Sequence, residues 1–82
     1  MLPNRQNQVR VRSNFAGEVE VLVRIGERVH AGQGLLIVEG EGELECLAAH
    51  NPGTVTEVNV RSGAEVEKGA LLVVIQEDAP ST

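Results

Sequence analysis

The sequence predicts an all-β domain in which two sheets of short strands close on each other, and three observations carry that prediction. The core residues are mostly β-branched or small: thirteen valines, eight leucines and three isoleucines, with Phe15 as the lone aromatic. Such side chains fill pleated sheets better than helices. Second, no window carries a convincing apolar stripe at helical spacing, while glycines punctuate the chain at strand-length intervals. Third, the chain repeats itself. "GERVHAG" (Gly26 to Gly32) and "GAEVEKG" (Gly63 to Gly69) both read G-x-x-V-x-x-G. At the same offset of 37, Leu35 to Val38 fall on Leu72 to Ile75.

The elements follow in order from period and punctuation. A lead strand is expected at about 8–13, then an alternating one at about 17–24, "EVEVLVRI". A short strand at about 28–30 sits inside the first glycine turn, and an apolar one, "GLLIVE", fills about 34–39. The second unit repeats the order at about 43–48, 53–60 ("TVTEVNV"), 65–67 and 71–77 ("ALLVVIQ"). Gly17, Gly26, Gly32, Gly53, Gly63 and Gly69 are expected to supply turns, where positive φ carries no Cβ penalty. Residues 1–7 and 78–82 are polar and are expected to be frayed, leaving 8–77 as the domain; "DAPST" could begin a linker.

Between the two units lies "IVEGEGELECLAAHNPGTV" (Ile37 to Val55), read as a hairpin whose turn is bracketed by Gly40 and Gly42. Glu39, Glu41, Glu43 and Glu45 share parity, so in extended chain they are expected to point to similar sides and to lie outside. Like charges that close repel by a few tenths of a kcal/mol per pair, tolerable only in water. Leu44 and Cys46 are then expected to face inward, with a bulge or rim position near 46–47 to accommodate Leu47.

Charge and composition exclude several functions. Net charge is −5, and no lysine or arginine occurs between Arg28 and Arg61, which argues against a nucleic-acid surface and leaves either a solvated face or a basic protein partner. No apolar run reaches the roughly 18 residues of a membrane span and no signal core precedes Gly17, so a soluble, cytoplasmic chain without membrane contact is expected. Cys46 is the single cysteine, which fits a reducing compartment, and is expected to be a small buried filler. His30, His50 and Cys46 lack the paired spacing of a zinc site, so no metal is expected. "EGEG" opens no helix and its glutamates would repel phosphate. No spacing suggests a nucleophile with its base, or an acid–base pair, so no catalytic residue and no enzymatic activity are expected.

With the duplicated unit, the glycine turns and the central hairpin in place, the chain resembles the biotinyl/lipoyl carrier-domain family from about Val9 to Glu77. "VRIGERVHAGQGLLIVEGE" and "AAHNPGTVTEVNVRSGAEVEKGALL" carry the resemblance. It implies a barrel-sandwich hybrid: a flattened barrel of two four-stranded sheets with quasi-twofold symmetry. In the family a lysine at the hairpin tip holds biotin or lipoate. "VEGE" before the tip is closer to lipoyl domains of 2-oxoacid dehydrogenase acyltransferases than to biotinyl ones. Gly42 stands at the position of the modified lysine, and Glu43, Leu44 and Glu45 replace the small or Met-containing segment around it. The only lysine, Lys68, lies in the second glycine turn, which the family does not use.

The resemblance therefore implies a lipoyl-like domain that carries no cofactor and acts as a protein-interaction or scaffold module. Its expected contact surface is Glu39, Gly40, Glu41, Gly42, Glu43 and Glu45. A basic protein, or a component of a complex built on true carrier domains, is the expected partner. The alternative is a biotin- or lipoate-carrier subunit of a carboxylase or 2-oxoacid dehydrogenase, modified at Lys68 or only in a related chain. A segment of a membrane-fusion adaptor is a third reading, but the heptads of its helical hairpin are missing.

Overall fold

The computed structural model describes residues 7–78, and the sequence expectations for residues 1–6 and 79–82 lie outside them. Eight strands form: β1 (Gln8–Arg12), β2 (Gly17–Val21), β3 (Arg28–Val29), β4 (Gly34–Gly40), β5 (Glu43–Ala48), β6 (Gly53–Val58), β7 (Glu65–Val66) and β8 (Leu71–Glu77). They make two antiparallel four-stranded sheets, in the orders β1-β8-β6-β3 and β5-β4-β2-β7. Exchanging the first four strands with the last four turns one order into the other. That is the quasi-twofold relation the repeated motif requires.

The two halves are interlocked by their turns. Gly26 N–H donates to Val55 C=O at 2.7 Å, and its repeat equivalent Gly63 N–H donates to Val19 C=O at 2.8 Å. Likewise Gly32 N–H bonds Ala49 C=O at 2.7 Å and Gly69 N–H bonds Ser13 C=O at 2.8 Å. Each half thus closes on backbone supplied by the other, so neither half completes its sheets alone.

Val19, Val29, Leu35, Leu36, Val38, Val55, Leu72, Val73 and Ile75 are buried between the sheets. Both Leu35 and Leu36 point inward because the β4–β5 register slips between Gly34 and Leu36. The irregularity expected near Leu47 therefore falls on the facing strand, opposite Leu47 and Ala48. Ser13 is the one buried polar side chain among the described residues, and its hydroxyl donates to Phe15 C=O.

Gly17 and Gly53 do not serve as turns. Positive φ occurs at Gly26, Gly32, Gly42, Gly63 and Gly69 but not at these two. They are needed for close approach: a Cβ on Gly53 would lie 2.5 Å from Gln76 O and 2.9 Å from Ile75 Cγ2.

Asp78, placed by the sequence in the tail, is held at the end of β8. Its backbone N–H donates to Pro52 C=O at 3.0 Å, and Arg28 donates to both its carboxylate oxygens at 2.8 Å. Hydrogen bonding from Arg28 keeps the Asp78 carboxyl below its ordinary value. A lowered folded-state pKa adds stability above the unfolded value, lost as pH falls through the folded one. Both groups are open to water, where such pairs contribute little. Asp78→Asn is accordingly expected to leave the denaturation midpoint nearly unchanged at neutral pH, and to abolish only a small loss below about pH 4, read from urea titrations across pH.

Candidate functional site

The candidate site is the β4–β5 hairpin and the sheet face beside it. Gly40 pairs with Glu43, leaving Glu41 and Gly42 as a two-residue turn. Glu41 keeps negative φ while Gly42 sits at +77°, the φ signs of a type II turn, which asks for glycine at its third position. Nothing lies within 4 Å of a Cβ built on Gly42, so a side chain at this position would start in open space. Gly42→Lys is therefore expected to fold, with a loss of about 1 kcal/mol from the left-handed backbone alone, measurable by thermal melting.

The structure corrects how the hairpin side chains were assigned to faces. Cross-strand partners share a face, and here they are Gly40 with Glu43, Glu39 with Leu44, Val38 with Glu45, and Ile37 with Cys46. Each pair joins an odd number to an even one. Residues of equal parity on the two arms therefore point to opposite sides. Glu39 is on the outer face, whereas Glu45 lies on the inward side with Val38 and accepts a bond from Asn14 Nδ2 at 2.8 Å. Leu44 and Cys46, expected inside, are exposed, Leu44 at 68%. Leu47, the expected parity break, is on the regular inward face and packs on the core.

Behind the tip, the chain is drawn close. A Cβ on Gly40 would meet Phe15 Cδ1 at 2.9 Å, and one on Gly17 would press on the backbone of Glu39 and Gly40. The start of β2 is thereby clamped against the base of the hairpin. This brings Glu18 directly opposite Glu39 on one side and Glu65 on the other. Three carboxylates from three strands stand side by side on the outer face, about 4.5–5.5 Å apart at Cβ. Glu41 and Glu67 join them around a shallow polar groove. Glu18, Glu65 and Glu67 were not singled out in the sequence. Their only sequence sign is alternation within a strand, and pairing between distant segments brings them together.

Lys68 lies in the turn between β7 and β8, next to Glu67. His30 and His50 are exposed, and no group of three potential metal ligands assembles among the described residues. A second cleft of ≈ 330 Å³ opens between the edge strands β1 and β5, floored by Val9, Val11, Leu35 and Leu47. No described helix is long and apolar enough to cross a membrane.

A family model for biotin and lipoyl domains, described as biotin-requiring enzyme, matches residues 9–75. None of the curated protein sequences compared matches the chain. Among solved structures, a single-chain, multi-domain long-chain acyl-CoA carboxylase superimposes with a TM-score of 0.81 at 23% identity, covering 99% of this chain and 8% of that one. Urea carboxylase from Kluyveromyces lactis superimposes at 0.74 with 26% identity, covering 92% and 6%. A putative succinylglutamate desuccinylase/aspartoacylase from Shewanella frigidimarina also reaches 0.74, at 16% identity, covering 90% and 21%. The first and third likenesses are of fold alone. The chain spans at most 21% of the length of these proteins.

Proposed function

The chain belongs to the biotin/lipoyl family, and from that membership we propose that it is a non-enzymatic contact module that has given up the carrier chemistry and kept the domain. One observation carries the reading: Gly42, at the hairpin turn with open space where a side chain would project, offers no amine. Biotin and lipoate are held in this family through an amide to a lysine ε-amine, so the residues present at the tip do not fit either group. What the hairpin does present is Glu39, Glu41 and Glu43, exposed carboxylates with backbone glycines between them.

Acidic side chains on a projecting hairpin attract a basic protein surface and repel nucleic acid. The partner is accordingly a protein with Lys or Arg at its contact surface. A component of a carrier-domain assembly fits this description, because the fold itself would be recognised there. A second reading, a carrier modified at Lys68, draws on one observation. Glu67, its chain neighbour, lines the same groove as Glu39 and Glu41.

The test is the intact mass of the protein purified from its native source, with peptide mapping around Lys68. The unmodified mass is expected. A mass raised by a biotinyl or lipoyl group on Lys68 would replace the contact-module reading with a carrier of relocated attachment.

A further inference from the structure

We propose that the outer face of the β5-β4-β2-β7 sheet is a docking surface for a partner segment whose apolar side chains alternate with lysine or arginine. This deepens the contact-module reading and moves its centre from the hairpin tip to the sheet behind it.

The strands of this sheet contain Glu18, Glu20, Glu39, Glu43, Glu45 and Glu65 and no lysine or arginine. The other sheet has Arg10, Arg12 and Arg28 against Glu57 and Glu77. Acidic residues are therefore concentrated on this sheet: Glu18, Glu20, Glu39 and Glu65 lie on its outer face, while Glu43 and Glu45 share the side of Gly40 and Val38. Among the described residues the one ion pair, Arg28 with Asp78, also belongs to the other sheet. Folding gains nothing from placing Glu18 directly opposite Glu39 and Glu65, since like charges in that position destabilise the sheet.

Apolar side chains share the same face. Leu44 is 68% exposed and Leu22 43%; with Ile25 they are the exposed large hydrophobics among the described residues. Cys46 is exposed beside its cross-strand neighbour Ile37. Gly34 keeps Leu22 and Cys46 together: a Cβ there would sit 3.2 Å from Cys46 Sγ and 3.4 Å from Leu22 Cδ1. The result is a band, Leu22, Cys46, Ile37 and Leu44, running across β5, β4 and the residue that follows β2, and bordered by carboxylates. Exposed apolar groups rimmed by charge mark contact sites.

Charge complementarity selects the occupant. A cation set among Glu18, Glu39 and Glu65 would relieve their mutual repulsion, while apolar side chains cover the band. A nucleic acid or an acidic peptide would be repelled by the same row.

The probe is a short synthetic peptide of alternating leucine and lysine, titrated into 15N-labelled protein and followed by amide chemical shifts. Shifts are expected within residues 18–22, 34–39 and 44–48, with binding weakened about tenfold or more by high salt. A serine–lysine peptide should bind about tenfold more weakly, because it keeps half of the complementarity, and a leucine–glutamate peptide, repelled by the carboxylate row, more weakly still. Leu44→Ser should keep the melting midpoint and the double variant Glu18→Gln/Glu39→Gln should keep or slightly raise it, all at exposed positions, while both lose affinity to a similar degree.

Shifts mapping to the arginine-bearing sheet, or unchanged affinity in both variants, would overturn the proposal. So would equal binding of the serine–lysine peptide, which would reduce the face to a non-specific acidic surface. These outcomes are independent of the mass measurement. A modified Lys68 would remove the contact-module reading without moving the shifts, and a failed titration would leave the unmodified mass as it stands.

Discussion

Leu72→Ala is expected to lower stability by about 2–5 kcal/mol and the melting midpoint by on the order of 10–30 °C. Leu72 is fully buried near the start of β8, a strand bonded to both β1 and β6. Truncation removes transfer free energy and leaves a cavity between two sheets that cannot collapse, because each sheet is held by backbone pairing. A domain of this length has roughly 4–12 kcal/mol in total, so the variant is expected to be partly unfolded at physiological temperature. Thermal melting by circular dichroism checks this, with Leu44→Ala as the control. Leu44 is 68% exposed, and its truncation should stay within about 0.5 kcal/mol. Equal losses at the two positions would contradict the assignment of inner and outer faces.

The second large effect is expected at Gly17. Its φ is ordinary, yet a Cβ would approach Glu39 C at 2.7 Å and Gly40 N at 2.9 Å, so backbone must move. Overpacking of this kind costs about 1–3 kcal/mol. The displaced backbone is the base of the hairpin. Gly17→Ala should therefore shift the amide resonances of Glu39 to Glu43 as well as lower the midpoint. Gly26→Ala is the contrasting case. Its φ is +90° with open space around it, so it should cost about 1 kcal/mol and leave the hairpin resonances in place. A Gly17→Ala variant with an undisturbed hairpin would show that the clamp between β2 and β4 is not rigid.

Most of the architecture was legible because the chain states it twice. Each strand's existence and position came from period and glycine punctuation, and the offset of 37 carried β3 onto β7 and β4 onto β8. The six glycines expected to be turns shared one explanation, but two of them needed another. Gly26, Gly32, Gly63 and Gly69 have the positive φ that motif position suggests. Gly17 and Gly53 open strands and are pressed against a neighbouring strand's carbonyl, a contact between residues more than twenty apart in sequence. The hairpin showed the same limit. Parity was carried unchanged through the turn, whereas a two-residue turn pairs odd with even positions and so reverses it. Leu44 and Cys46 moved outside for that reason, and Glu45 moved in toward Asn14.

By itself the sequence determined the β-sheet class, the doubling, the order and approximate places of the strands though not their ends (β2 stops at Val21 and β6 at Val58, short of the expected 24 and 60), and a hairpin tip that has glycine and glutamate but no amine. Those properties are local: side-chain shape, turn chemistry and residue identity act within a few positions of the chain. Only the tertiary structure decided which face each side chain occupies and which distant residues stand together. The row of Glu65, Glu18 and Glu39 comes from three separate strands. The band of Leu22, Ile37, Leu44 and Cys46 likewise exists only once β5, β4 and β2 lie side by side. Register between strands is set by the whole core, where Leu35, Leu36, Val38 and Val19 must all be inside at once, and that condition places the carboxylates and the exposed apolar band on the same outer face.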